Sequence, residues 1–239
     1  GKPSRELGVE WNSNFVTDHI NDFTNWQQQY GQGFQGNKPV DRTSALMSGL
    51  YAWGAKLDGS PVPVFDGSLH PYSPVSRGNL RSFYKTGITA ANTIGLSGGN
   101  DAARFRVSLG DLRSQSVYPK AGFNRQNIQT DLQYRISDEW SGFTNISYIR
   151  EVGKNRSNLS DAPGNGNFAI LFLPPNVKAG YLAPGYDAGG HETQFNDNAF
   201  NTNPYFASAR FSNDTYRDRV MGVTSLRYQP FSWLYVQGR

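Results

Sequence analysis

Side chains able to do chemistry are few in this sequence, and they are scattered. The three histidines, His19, His70 and His191, stand far apart with neither a His-x-His nor a His-x-x-x-His spacing. His191 has two carboxylates close in sequence, Asp187 and Glu192. That trio could hold a divalent metal, but three polar residues in a glycine-rich stretch more simply form a solvated loop cluster. Asp187 and Asp197, set among Asn and Gly, have the hard oxygens that calcium takes, yet the regular ligand spacing of a dedicated calcium loop is missing. Gly98-Gly99 opens no helix, so it reads as a hairpin turn and not as a phosphate cradle. No serine has His and Asp neighbours that would suggest a triad, and with no cysteine there is neither thiolate nor disulfide chemistry. The expectation is a protein that is no enzyme, with no catalytic residue, no metal and no cofactor.

Binding is better supported. Aromatic rings beside amides and carboxylates suit sugars and peptides, because the ring stacks while its neighbours hydrogen-bond. Tyr181, Tyr186, Asp187, Glu192, Asn203 and Tyr205 have that character. The same residues would also serve to pack loop on loop, or loop on a partner protein.

The elements that position them are strands. From Tyr84 to Arg150 apolar residues alternate with polar ones in four successive runs. Ile94 and Leu96 alternate on the first, and Phe105, Val107 and Leu109 on the second, after the turn-forming Gly98-Gly99-Asn100-Asp101. Ile128, Thr130, Leu132, Tyr134 and Ile136 share one face of the third, and Trp140, Thr144, Ile146 and Tyr148 one face of the fourth. Setting Ile136 opposite Trp140 puts Leu132 opposite Thr144 and Ile128 opposite Tyr148, so the greasy face stays continuous through the turn. The opposite face carries Arg104, Arg106, Asp131 and Arg135 among amides and hydroxyls. Strands of about a dozen residues exceed the usual five or six and match a transmembrane barrel, apolar toward lipid and polar toward a wet lumen. A large soluble sheet with one solvated face has the same alternation and stays open as an alternative.

Composition agrees with a β protein rich in loops: 239 residues, 14% aromatic, with 26 Gly and 13 Pro. Mean hydropathy is negative and no run of apolar residues is long enough for a spanning helix, a test that barrels escape. The net charge of +4 is mild and no basic run occurs, so no nucleic-acid partner is expected. Strands are predicted near 7–16, 85–97, 102–113, 125–136, 140–150, 219–229 and 232–239, separated by long loops over 18–84 and 151–218. The run Phe168 to Leu173, stopped by Pro174-Pro175, could be a buried strand, a short helix or a loop anchor. Leu226-Arg227-Tyr228 through Trp233 echoes Leu132-Gln133-Tyr134 through Trp140, and paired Tyr and Trp beside short turns suggest an interfacial aromatic girdle. Short turns at one end and long loops at the other give the asymmetry of bacterial outer-membrane barrels. About seven strands cannot close a barrel, and bare edges are not tolerated in lipid, so the chain is expected to be part of something larger. Gly1-Lys2-Pro3 carries neither initiator Met nor signal core.

Several segments, taken together and in order, resemble one family. They are Tyr30-Gly31-Gln32-Gly33, Trp53-Gly54-Ala55-Lys56-Leu57-Asp58-Gly59, Phe83-Tyr84-Lys85-Thr86-Gly87 with Asn92, Leu96-Ser97-Gly98-Gly99-Asn100, Phe105-Arg106-Val107-Ser108, Gly122-Phe123-Asn124-Arg125 and Asn203-Pro204-Tyr205. The resemblance is to the SusC/RagA-like branch of TonB-dependent outer-membrane transporters of Bacteroidetes. It implies an all-β fold: an antiparallel section of about seven strands from a 22-stranded transmembrane β-barrel with long extracellular loops, after the plug. Signal, TonB-contacting box, plug and C-terminal strands are expected to lie outside this stretch. The resemblance also implies location in the bacterial outer membrane and import of a glycan, oligosaccharide or peptide. The implied partners are a SusD-like surface lipoprotein as lid and TonB as energy coupler. On this reading Ile94, Phe105, Leu132, Tyr134, Trp140, Ile146, Tyr148, Tyr228 and Trp233 face lipid or its interface, and Arg104, Arg106, Asp131 and Arg135 line the lumen, where pairing with one another or with the plug is their expected role. The alternative, a soluble extracellular β-sheet protein binding carbohydrate, would cover the same apolar residues with a second layer of protein.

Overall fold

The structure is a computed structural model, and it describes residues 7–75 and 78–239. The chain runs in order through strand β1 (Gly8–Asp18), helix α1 (Arg42–Met47), a small hairpin β2 (Pro61–Pro63) and β3 (Leu69–Pro71), then β4 (Gly87–Gly99), β5 (Ala103–Gln115), β6 (Gly122–Arg135), β7 (Trp140–Lys154), helices α2 (Gly166–Leu171) and α3 (Pro204–Arg210), and finally β8 (Thr215–Phe231) and β9 (Leu234–Gly238). Seven strands form one antiparallel sheet in the order β1-β4-β5-β6-β7-β8-β9. It is an open sheet with β1 and β9 at its edges, and it does not close on itself. No helix among the described residues is long and apolar enough to cross a membrane, which says nothing of strands.

The register through the central turn is the one the alternation demands. Ile128 stands opposite Tyr148, Thr130 opposite Ile146, Leu132 opposite Thr144 and Tyr134 opposite Gly142, and the Ile136 N–H donates to the Trp140 carbonyl at 2.8 Å. Strands run further than the alternation alone indicates, chiefly toward the long loops: β7 continues to Lys154, β8 starts at Thr215 and β6 starts at Gly122. Those extensions carry Glu151, Lys154, Arg217, Asp218 and Asn124. Where both faces of a strand are wet, apolar periodicity disappears although the backbone ladder continues.

The turns at 100–102, 136–139 and 232–233 lie at one rim, and the connections 19–86, 116–121 and 155–214 at the other. The core sits only on the second rim. Among the described residues every buried hydrophobic side chain belongs to these connections or to the small hairpin within the first, and none to the seven-stranded sheet. Val64 and Phe65 pack with Ala169, Val177, Leu182 and Phe195. Phe83, Tyr118, Ile170 and Ala179 form a second cluster that ties in the intermediate connection. The apolar run at 168–173 is thus the short helix α2 and its exit, held by Asn165, whose side chain accepts from the Asn167 and Phe168 N–H groups.

Two of the glycine-bearing segments owe their composition to one ring. Tyr72 is fully buried, and its hydroxyl donates to the carbonyls of Gln32 (2.8 Å) and Ala55 (3.1 Å). Segment 30–33 lies against 52–56 through backbone hydrogen bonds, with Gly31 donating to Ala55 and Gly54 donating to Gly31. A Cβ on Gly54 would sit 2.4 Å from both the Tyr72 hydroxyl and the Gln32 carbonyl oxygen, a contact no side chain can make.

Candidate functional site

The sheet presents two chemically distinct faces. On one, Ile94, Phe105, Leu132, Tyr134, Trp140, Ile146, Tyr148 and Tyr228 share the parity of the register, and Trp233 stands in the turn beyond. From the level of Trp140 to that of Tyr148 this face carries no charged side chain on β4 to β8. Eight residues of strand span roughly 27 Å at about 3.4 Å each, or roughly 21 Å across a membrane at a tilt of about 40°, close to the apolar band of roughly 25 Å on outer-membrane barrels. Ile146 is 51% exposed and Val220 beside Tyr148 73%, so among the described residues no second layer covers the face.

Aromatic side chains mark both borders of the band. Trp140 stacks on Tyr228 with centroids 4.5 Å apart, and Phe231 on Trp233 at 5.6 Å. At the far border the Tyr148 hydroxyl donates to Asp218 at 2.6 Å, and one level further Arg150 faces Asp218 while Asp111 stands on β5. A ring with a polar tip at the apolar-to-charged boundary is what a membrane interface selects.

The opposite face is a polar wall. Arg106 on β5 pairs with Glu10 on β1 at 2.7 Å, reaching across β4 at Gly95, whose missing side chain leaves the room. Both partners are half-exposed, so the pair is worth under about 1 kcal/mol and serves geometry more than stability. Asp131, opposite Arg106 in the register, accepts from Asn145 at 2.5 Å and Gln129 at 3.4 Å. Arg104 lies opposite Gln133 and Arg135 opposite Ser141. Phe143, Ile149, Met221 and Val223 are apolar interruptions of this wall on β7 and β8.

The six loop residues that the sequence singles out for ligand contact are divided by the structure. Asn203 is fully buried. Its carbonyl oxygen caps α3 by accepting from the Tyr205 and Phe206 N–H groups, and its amide donates to the Leu182 and Thr193 carbonyls. All its hydrogen-bonding capacity is spent inside the loop. Glu192 accepts the Asn203 N–H at 2.6 Å and is held in partial burial. Tyr205 packs edge-on against Phe83 at 5.2 Å. Tyr181 stacks on His70 at 3.9 Å, joining the second long loop to the small hairpin of the first. Tyr186 lies under the Arg210 guanidinium at 4.4 Å. Asp187 is exposed and accepts the His191 N–H at 2.9 Å, the hydrogen bond that chiefly holds its carboxyl below the ordinary range. Of the six, Asp187 is exposed, Tyr181, Tyr186, Glu192 and Tyr205 are partly buried, with Tyr181 and Tyr205 packed against the loop core, and Asn203 is buried. Among the described residues no three His, Cys, Asp or Glu side chains converge on a metal position.

Burial raises the Glu192 carboxyl above its usual range, against the opposing pull of the Asn203 N–H. A carboxyl whose folded-state value is raised stabilises the fold below its unfolded value, and that contribution is lost as pH rises through the folded value. Segment 183–206 should therefore be better protected at about pH 4 than at about pH 8. Glu192→Gln keeps an acceptor for Asn203 and should flatten that dependence, read as hydrogen exchange corrected for intrinsic rate. An unchanged pH dependence in the variant would assign it to other carboxylates.

No protein-family model matches the chain, and no curated protein does. Solved structures do. The RagAB peptide importer in its closed-closed state matches over 99% of this chain at 17% identity and a TM-score of 0.53, and in its open-open state at 17% identity and 0.54. A further structure of the RagAB peptide transporter matches at 18% identity and 0.53. The chain spans under a third of the length of these relatives, 27–28%. At such identity the likeness shows a shared fold: a sheet and loop layer like a section of those importer chains.

Proposed function

We propose that this chain is a section of the wall of a SusC-like, TonB-dependent importer in the bacterial outer membrane, moving a glycan, oligosaccharide or peptide inward. The observation that carries the reading is the division of one antiparallel sheet into an uncharged, uncovered face bordered by aromatics and a polar face lined with arginine, amides and hydroxyls. Lipid satisfies the first and a wet lumen the second. Short turns would then point to the periplasm and the packed loops outward, where a SusD-like lipoprotein would rest on them. The likeness to RagAB importer structures supports both the fold and a paired assembly of this kind. On this reading Tyr181, Tyr186 and Asp187 would meet cargo at the loops, and Arg104, Arg106, Asp131 and Arg135 would face its path. Energy from TonB would act through parts of the polypeptide beyond this section.

In cells, the native polypeptide should fractionate with the outer membrane and leave it only in detergent, and uptake of its cargo should stop when TonB is deleted. Recovery in the soluble fraction, or uptake indifferent to TonB, would overturn the reading.

A further inference from the structure

Charge is unevenly divided on the polar wall. Across the seven-stranded sheet that face carries seven arginines against four carboxylates, Glu10, Asp18, Asp131 and Glu151, which leaves an excess of three positive charges. Two of the carboxylates are engaged, Glu10 by Arg106 and Glu151 by Arg217 at 3.6 Å, and Asp131 is held by amides. Arg125 and Arg219 stand near the loop rim.

The other three gather at the short-turn rim. Arg104, Arg135 and Arg227 surround an open depression of about 380 Å³ whose lining also includes Gln133, Gln237 and the carboxylate of Asp101. Arg135 faces Ser141, which in turn faces Arg227. Arg227 is oriented from two sides: it donates to the Gln229 side-chain carbonyl at 2.8 Å and lies over the Tyr235 ring at 4.0 Å. Its Nε is buried without a partner. Arg104 and Arg135 have no acidic partner within salt-bridge distance among the described residues.

We infer that this wall is selective for cargo bearing several carboxylates, and that the depression between Arg104, Arg135 and Arg227 holds one of them. The inference rests on the importer reading above. Guanidinium forks match carboxylates through paired, charge-assisted hydrogen bonds. A wall with an excess of one sign, backed by a low-dielectric layer, concentrates ions of the other sign. The glutamine amides beside the arginines can serve the backbone or hydroxyls of an oligomer without discriminating by charge.

The test uses cells making the complete native polypeptide, supplied with fluorescent oligomers of equal length. One pair is a glutamate-rich and a glutamine-rich peptide; the other is a uronate oligosaccharide and its neutral counterpart. The acidic member of at least one pair should enter about tenfold faster or more, the scale on which a one-signed cleft raises association. Joint replacement of Arg104, Arg135 and Arg227 by Gln should bring the acidic-to-neutral ratio near one, and replacement by Lys should restore a substantial part of it. Whichever pair responds identifies the source of the carboxylates. The Lys variant also guards against misfolding, since it perturbs the same three positions. Cargo entering irrespective of charge, or an acidic preference unmoved by the Gln replacements, overturns the inference and leaves the importer reading standing. Entry of no cargo at all, with the polypeptide at the surface, overturns the importer reading and the inference with it.

Discussion

Leu132→Arg should prevent stable insertion of the sheet into a membrane. Leu132 faces Phe105 on one side and Thr144 on the other, midway between the levels of Ile136 and Ile128 that bound the uncharged band. An arginine at such a midplane costs about 2–4 kcal/mol on a barrel's lipid face, falling toward zero at the interfaces. Ile146→Arg, two residues from the Tyr148 border, should therefore cost less than Leu132→Arg. Gln129→Arg, on the polar wall opposite Ser108 and Ser147, should be close to neutral. Urea titration in vesicles would rank the three. Equal costs at all three positions would mean that depth and face are irrelevant and that no lipid touches Leu132.

Phe83→Ala should do comparable damage by a different route. Phe83 is fully buried and meets Tyr84, Tyr118 and Tyr205 edge to face with centroids 5.1 to 5.7 Å away. Those rings belong to three separate connections, so one side chain couples the whole loop layer. Truncating a buried Phe costs about 3–5 kcal/mol, because the cavity forfeits packing that neighbours cannot recover. The loss should be local: faster hydrogen exchange across 79–84, 116–121 and 204–211, with the strands from Ile94 to Leu109 unchanged. Phe83→Leu should cost appreciably less. If exchange in the three connections stayed at the native rate, the rings would not be what joins them.

These two residues also mark what the sequence could and could not disclose. Leu132 is legible because a strand with one apolar and one polar face repeats every second residue, and Ile136 opposite Trp140 fixes the pairing. Phe83 is not, because the loops have no period and the partners of its ring lie up to 122 residues away. The same limit applies to Asn203. As a sequence feature it resembles a ligand contact beside Tyr205, and only its complete burial, with both amide ends bonded inside the loop, shows it to be a cap and strut. Alternation puts Arg106 on the polar face, but its pairing with Glu10 depends on β1 lying beside β4 and on the space at Gly95. The outermost turns of β7 and β8 leave no trace in hydropathy, since residues wet on both faces cease to alternate.

The central claim is that one face of this sheet touches lipid while the other touches water. These 239 residues hold no cysteine; with any cysteine elsewhere in the complete polypeptide replaced by serine, single cysteines can be placed at each position from 140 to 149 on β7 and labelled with a nitroxide in vesicles. Collision with dissolved oxygen, which concentrates in lipid, and with a polar nickel chelate, which stays in water, reports each site. The account predicts strict alternation, with oxygen favoured at Gly142, Thr144 and Ile146 and the chelate at Ser141, Asn145 and Ser147. Uniform access to the chelate along the strand, or no alternation, would contradict it.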